Sequence, residues 1–222
     1  MTSAAQLDPA GAAKQARAEQ RSAQLLEAAA RLMERDGSNA VSMQAVAAEA
    51  GVSVGLIYRY FGSKDDLLLA VIVGVLDSFA TQVPAAVEAA GTDPVHRLAA
   101  AFRSYCEVID ERRHAAVLTY RETKSLDDAG RAQIKDLEVQ TSEPLRAALR
   151  EGAEAGLFDV PDPDLAAYDL LLLAHAWALK HWYFERTLSL NDYVERQLAL
   201  MLKGILEPRH RRRYAALLSP ES

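Results

Sequence analysis

The 222-residue chain is half hydrophobic, carries 31 acidic against 25 basic residues for a formal charge of −6, and holds 11 glycines, 8 prolines and one cysteine. That composition supplies a buried core, excludes a disulfide framework or a cysteine-rich zinc site, and favours long helices over a turn-rich sheet. A negative chain does not advertise nucleic-acid affinity, so any such affinity must come from local placement of Lys and Arg.

No opening apolar segment has the form of a signal peptide. The greasiest stretches, LLLAVIVGVL and LLLLAHAWAL, are about half the roughly 20 residues a membrane span needs. The expectation is a cytoplasmic, all-α chain with no membrane partner.

Residues 1–13, Ala-rich with Pro9 and Gly11 and no apolar stripe, are expected to form a flexible arm. From about Lys14 to Asp36, Leu25, Ala29, Leu32 and Met33 recur at helical spacing, and Gly37 supplies a stop. Ser42 can cap a second helix through Ala50, with Met43, Val46, Ala47 and Ala50 on its apolar face. Gly51 offers the positive φ of a sharp helix end, and Ser53 can cap a further short helix to about Tyr60. Helix, tight glycine turn, helix is the helix-turn-helix arrangement.

The turn itself, GVSVG at residues 51–55, also fits the G-x-S-x-G of a hydrolase nucleophile elbow. An elbow needs a strand running into the turn. SMQAVAAEA has helical patterning instead, so Ser53 is expected to cap a helix and no catalytic residue is expected.

After Phe61, GSKDDLL repeats the signal, with Ser63 as cap and Asp65 and Asp66 in the first turn. A long apolar stripe follows through Phe79, Pro84 is expected to end or bend it, and Gly91 closes the segment. Further helices are predicted at about 94–111, 113–125, 127–155, 162–187 and 191–207, with Pro144 kinking or splitting the third of these. From Arg209 the chain is a basic tail.

Residues 42–68, SMQAVAAEAGVSVGLIYRYFGSKDDLL, resemble the DNA-binding segment of TetR-family transcriptional regulators, with Gly51, Val52, Ser53, Gly55, Tyr58, Tyr60, Phe61, Lys64 and Leu67 falling where that family's pattern wants them. The resemblance implies a three-helix DNA-binding domain over 14–66, a larger helical ligand-binding and dimerisation domain over 67–208, and a tail over 209–222. It also implies that Gln44, Val54, Gly55, Leu56, Tyr58 and Arg59 face bases while Ser42, Ser53, Tyr60 and Lys64 hold phosphates. A short helix in the major groove can read base edges, Gln pairing with adenine and Arg with guanine.

Residues 1–66 hold seven basic side chains (14, 17, 21, 31, 35, 59, 64) and eight acidic ones (8, 19, 27, 34, 36, 49, 65, 66), a net of −1. Affinity for an operator must then come from arrangement: Lys14, Arg17 and Arg21 near the N-terminus, with Arg59, Lys64 and helix N-termini.

One such head buries too little surface for specific binding, so a homodimer reading two half-sites is expected. By the family resemblance, the helices within 162–207 pair with a second copy through Leu172, Leu179, Trp182, Tyr183, Leu198, Met201, Leu202 and Ile205. The same resemblance implies a cavity for a small apolar effector, and Tyr105, Tyr120, Arg121, Tyr168, His175 and Trp177 stand within apolar stripes as its candidate polar or aromatic contacts. YRETKSL followed by WALKHWYF resembles family members that sense acyl-CoA-like thioesters.

His175 and His181 are six apart, on opposite sides of a helix, and no H-E-x-x-H occurs, so neither metal nor cofactor is expected. Cys106 has the setting of a small buried hydrophobe. The competing functions are a helical dimeric interaction protein without sequence-specific DNA binding and a serine hydrolase using Ser53.

Overall fold

The computed structural model describes residues 9–219, with side chains from Arg17 onward except Glu19; residues 1–8 of the expected arm, and the side chain of Lys14, lie outside the described part. The described residues are helical, their only β pairing being an isolated bridge between Phe158 and Leu206. Two compact units part after Val71.

In the first unit, helix α1 runs Pro9–Asp36, five residues earlier than the apolar stripe indicated. Alanine is the best helix former and proline suits a first turn, so AGAAKQA needs no stripe to be helical. Helix α2, Met43–Glu49, is capped by Ser42, whose Oγ accepts the Ala45 amide at 3.1 Å. Gly51 turns the chain at φ 65°, and helix α3, Val54–Tyr60, starts from Ser53, whose Oγ accepts the Leu56 amide at 3.3 Å. Leu25, Ala29, Met33, Val46, Ile57, Phe61 and Leu67 are buried together as this unit's core.

Helix α4, Lys64–Ala89, starts in the first unit and ends in the second. Ser63 caps it, accepting the Asp66 amide at 3.0 Å. Of the two outcomes expected at Pro84, an end or a bend, the helix does not end there: proline forfeits one backbone donor and crowds the preceding turn, and the helix continues past it. On length and composition alone α4 could cross a bilayer. Its Ile72, Val75, Leu76, Phe79, Val83 and Val87 are instead buried at helical spacing in the second unit.

The rest of the second unit is α5 (Pro94–Glu111), α6 (Arg113–Glu122) with a 3-10 turn at Thr123–Ser125, α7 (Asp128–Thr141), α8 (Glu143–Glu154), α9 (Pro163–Leu179), α10 (His181–Phe184), α11 (Leu190–Ile205), a 3-10 turn at Pro208–His210 and α12 (Ala215–Leu218). Pro144 splits the predicted 127–155 helix at Ser142, and the predicted 162–187 helix breaks at Lys180. Helix α5 is the centre, packed by α8, α9 and α11. Arg103 ties α5 to α11 through a two-bonded pair with Glu195, at 2.7 and 3.0 Å.

The basic tail is docked rather than loose. Arg211 donates to the carbonyls of Lys203 (2.7 Å) and Leu206 (3.3 Å), covering the open C-terminal end of α11, and Arg209 donates to Gly156 O at 3.1 Å. Asp93 joins this strap to α5: its Oδ1 caps the helix at Val95 N (2.9 Å), and its Oδ2 accepts from Arg213 (2.6 Å) and Tyr214 (2.8 Å). Burial opposes its ionisation, but the hydrogen bonds from Tyr214, Val95 and His96 and the Arg213 charge outweigh it, holding the carboxyl below its ordinary value.

Two outcomes follow from this packing. At Gly152 a Cβ would run into the buried Phe158 ring, so Gly152→Ala is expected to cost roughly 1–3 kcal/mol by overpacking, read from urea unfolding. Because the Asp93 carboxyl is depressed in the folded state, its contribution is present above the unfolded aspartate value of about 3.9 and is lost as pH falls through the lower folded value. The protection factors of the amides around Tyr214, corrected for the intrinsic exchange rate at each pH, should fall in that acid window, and Asp93→Asn should show the loosening already at neutral pH.

Candidate functional sites

In the first unit Ile57 and Phe61 bury the inner face of α3, while Tyr58 (49% exposed), Arg59 and Gly55 lie outside, with Gln44 exposed on α2. Val54, Leu56 and Tyr60 are half-buried, and the Ser42 and Ser53 hydroxyls serve as helix caps. Ser53 sits between helices, and residues 1–71 contain no histidine that could act as its base. Lys64 Nζ donates to Asn39 O at 3.2 Å, within the loop before α2.

Charge in this unit is sorted by place. Arg31 faces Glu27 (3.4 Å) and Glu49 (3.6 Å), and Arg35 pairs with Asp36 at 2.8 Å. Arg17 and Arg21 of α1 instead border one shallow groove with Arg59, Tyr60, Leu56 and the Gly51–Ser53 turn, and no acid lines it among the described side chains. A near-neutral unit thus presents three guanidinium groups beside α3, the geometry that holds a phosphate backbone.

The second unit contains a cavity of about 160 Å³, lined by Val75, Leu76 and Phe79 of α4, Tyr105 of α5, Thr119 and Tyr120 of α6, Glu138 and Thr141 of α7, and Tyr168, Leu171, Leu172 and His175 of α9. Four of the six expected contacts, Tyr105, Tyr120, Tyr168 and His175, line it. Arg121 does not, and Trp177 lies elsewhere: its indole donates to Asp110 at 2.7 Å and it packs against His181, Phe184 and Tyr193. The α4 and α7 residues were missed because an apolar or amphipathic stripe does not distinguish a core face from a cavity wall.

The His175 Nδ1 faces Leu171 O at 2.8 Å, and its ring meets Phe79 and Tyr120 edge-on. Burial favours the neutral imidazole, with the Leu171 bond opposing. The Nδ1–H donates in that bond, leaving Nε2 as an acceptor. Burial likewise pushes the Tyr120 hydroxyl up to about 12, with Glu138 adding to it, and raises the Glu138 carboxyl. Cys106 is fully buried and burial raises its thiol, the setting of a packing residue.

The expected pairing residues are divided. Leu172 (56% exposed), Leu179, Trp182 (63%) and Tyr183 lie on the surface, joined there by Leu165, Tyr168 and Leu200. Leu198 and Leu202 are fully buried in the subunit's own core, and Met201 and Ile205 are half-buried. Leu198 and Leu202 therefore offer no surface to a second copy. Among the described residues no group of three or more His, Cys, Asp or Glu is placed to hold a metal.

Comparison with known proteins decides what carries this geometry. The pattern of bacterial regulatory proteins of the tetR family matches residues 25–71, and that of the tetracyclin repressor-like C-terminal domain matches 91–205. The chain belongs to the TetR family. The HTH-type transcriptional regulator HbdR of Aromatoleum sp. (strain CIB) is 40% identical over 188 residues, spanning 85% of this chain and 82% of that protein. The HTH-type transcriptional repressor KstR2 of Mycobacterium tuberculosis (strain H37Rv) is 29% identical over 188 residues, 83% of this chain and 92% of that one. The structure of the TetR family transcriptional regulator PfmR from Thermus thermophilus superposes with a TM-score of 0.72 at 27% identity, covering 81% of this chain and 97% of that one.

The chain is thus an all-α transcriptional regulator with an N-terminal helix-turn-helix and a C-terminal helical domain. Replacing Arg17 and Arg21 together by Ala should weaken DNA binding similarly across sequences. It should also flatten the log affinity against log salt plot by about 2 contacts' worth, roughly 0.9 per phosphate lost, measured by fluorescence anisotropy from about 50 to 200 mM salt.

Proposed function

We propose that the chain is a cytoplasmic, homodimeric repressor that binds a pseudo-palindromic operator and is released from it by a small apolar effector. The observation that carries the DNA reading is the exposure of Gln44, Tyr58 and Arg59 outside the first unit's core, together with a groove that gathers Arg17, Arg21 and Arg59. Gln44, Val54, Gly55, Leu56, Tyr58 and Arg59 would meet base edges. Ser42, Ser53, Tyr60 and Lys64 would meet phosphates, the serines by presenting the helix N-termini they cap.

The dimer reading is supported by apolar surface that one subunit leaves uncovered. Leu165, Tyr168, Leu172 and Leu179 follow one face of α9, continued by Trp182 and Tyr183 on α10. Exposed aromatic and aliphatic side chains at helical spacing suit an isologous interface. Tyr168 and Leu172 also rim the cavity, so a ligand that moves them changes the surface offered to the second copy. An acyl-CoA-like effector would fit with its acyl end inside and its nucleotide outside the cavity.

Selection of bound duplexes from a randomised DNA pool at near-physiological salt tests the reading. The expected product is an inverted repeat with half-sites about one helical turn apart, weakened or altered in Tyr58→Ala and Gln44→Ala. A folded protein that enriches no sequence would transfer the assignment to a helical interaction protein.

A further inference from the structure

We infer that the α4/α5/α6/α7/α9 cavity holds the uncharged, ring-sized end of the effector and fixes it by a hydrogen bond between the Tyr105 hydroxyl and an oxygen of the ligand. This rests on the effector-cavity reading above. Three features of the cavity carry it.

The first is an unused donor. Tyr105 is fully buried on α5 and lines the cavity, yet its hydroxyl makes no hydrogen bond of good geometry among the described residues; the Thr141 hydroxyl is near enough only for a weak, poorly aligned interaction. A buried hydroxyl without a partner costs free energy that a ligand oxygen would recover. The neighbouring hydroxyls do not compete for that role. Thr141 donates to Leu137 O at 2.9 Å and Thr119 to Ala115 O at 3.1 Å, so both protons are committed to helix backbone.

The second feature is charge. Among the described residues no Lys or Arg lines the cavity, and the one acid that does, Glu138, is solvent-exposed. Arg146 comes near, its guanidinium 5.8 Å from the Tyr168 ring, but it is held by Ser142 Oγ (2.6 Å), Val139 O (3.3 Å) and Glu143 (3.7 Å). A carboxylate at the inner end would be stripped of water, with Glu138 in the cavity lining and no opposite charge against it. A ketone, ester or thioester oxygen carries no such cost.

The third feature is size. An apolar space of about 150 Å³ accommodates a single six-membered ring, and the wall of Val75, Leu76, Phe79, Leu171 and Leu172 around about 160 Å³ matches that load. The His175 ring, with its Nδ1 engaged by Leu171 O, adds a flat face.

The experiment uses the full chain and three probes of one ring: cyclohexyl methyl ketone, the isosteric cyclohexanecarboxylate, and cyclohexane, with dissociation constants from ligand-observed NMR at about pH 7. The ketone should bind wild type at least tenfold more tightly than the acid. Tyr105→Phe should weaken the ketone about three- to tenfold, the size of one neutral hydrogen bond, and leave cyclohexane unchanged.

Unliganded Tyr105→Phe should melt at the wild-type temperature or above, since it removes an unpaired buried hydroxyl. A structural tyrosine would instead lower it. An acid that binds as tightly as the ketone, or a ketone indifferent to Tyr105→Phe, overturns the ligand class while leaving the cavity reading intact. In the former case Arg146, whose Nε also lacks a partner, supplies the counter-charge. If none of the probes binds, cyclohexane included, the effector-cavity reading falls with it.

Discussion

Helix α9 sets the constraint on which the second unit depends, because it is apolar around most of its circumference and must satisfy three different surroundings. Ala167, Leu170, Ala174, Trp177 and Ala178 are buried, Leu171 and His175 turn to the cavity, Tyr168 and Leu172 both line it and reach the surface, and Leu165 and Leu179 are left outside. Small residues on the buried side let α9 approach α5 and α8 closely. Two polar bonds then fix the helix in place: Trp177 to Asp110 of α5, and the Tyr193 hydroxyl to Leu173 O, each drawn from an otherwise aromatic cluster. Buried polar bonds of this kind set register more than they add net stability. A rotation of α9 would exchange the cavity wall for the outer face, so these two contacts specify which apolar residues line the cavity and which lie on the surface.

The first unit solves a different problem, affinity for a polyanion without basic composition. Glu27, Glu49 and Asp36 are placed where they neutralise Arg31 and Arg35 along α1, while the groove beside α3 keeps Arg17, Arg21 and Arg59. The caps contribute to the same economy. Each serine at a helix start satisfies a backbone amide of the helix it begins, and leaves the positive end of that helix facing outward. This is why G-x-S-x-G at 51–55 is a turn with a cap: the chain enters it from α2, where an elbow would need a strand.

Most of the architecture was legible in the sequence wherever the signal was local. Gly51, Ser42 and Ser53 mark the turn and both caps, and Pro144 marks the split between α7 and α8, because backbone constraints of proline, glycine and cap residues act over a few residues. The departures arise where the outcome depends on distant partners. Trp177 turns from the cavity to Asp110, and the arginines of the tail find the open carbonyls of α11 and the Asp93 carboxylate some 120 positions upstream. Leu198 and Leu202 carry the same apolar pattern as Leu172 and Leu179, and only packing divides them into inner and outer faces. For the candidate cavity, the aromatic and imidazole members stood out against apolar stripes, whereas Val75, Leu76 and Phe79 were indistinguishable from core.

Those three α4 residues matter for how a small effector could act. A ligand shifts an equilibrium only by its differential affinity for the two states, and moving a regulator from almost wholly bound to almost wholly released takes about 5.5 kcal/mol. One hydrogen bond to Tyr105 supplies a fraction of that. The remainder must come from apolar contact that exists in one conformation and not in the other, and the cavity wall offers it on α4, which is continuous from Val75 and Phe79 back to Lys64 at the end of the helix-turn-helix segment. A second source is the rim of Tyr168 and Leu172, since an operator with two half-sites makes DNA affinity depend on both subunits together. In the proposed regulator the effector therefore gains its leverage by filling space against α4 and α9, with the Tyr105 hydroxyl choosing which molecules are admitted to do so.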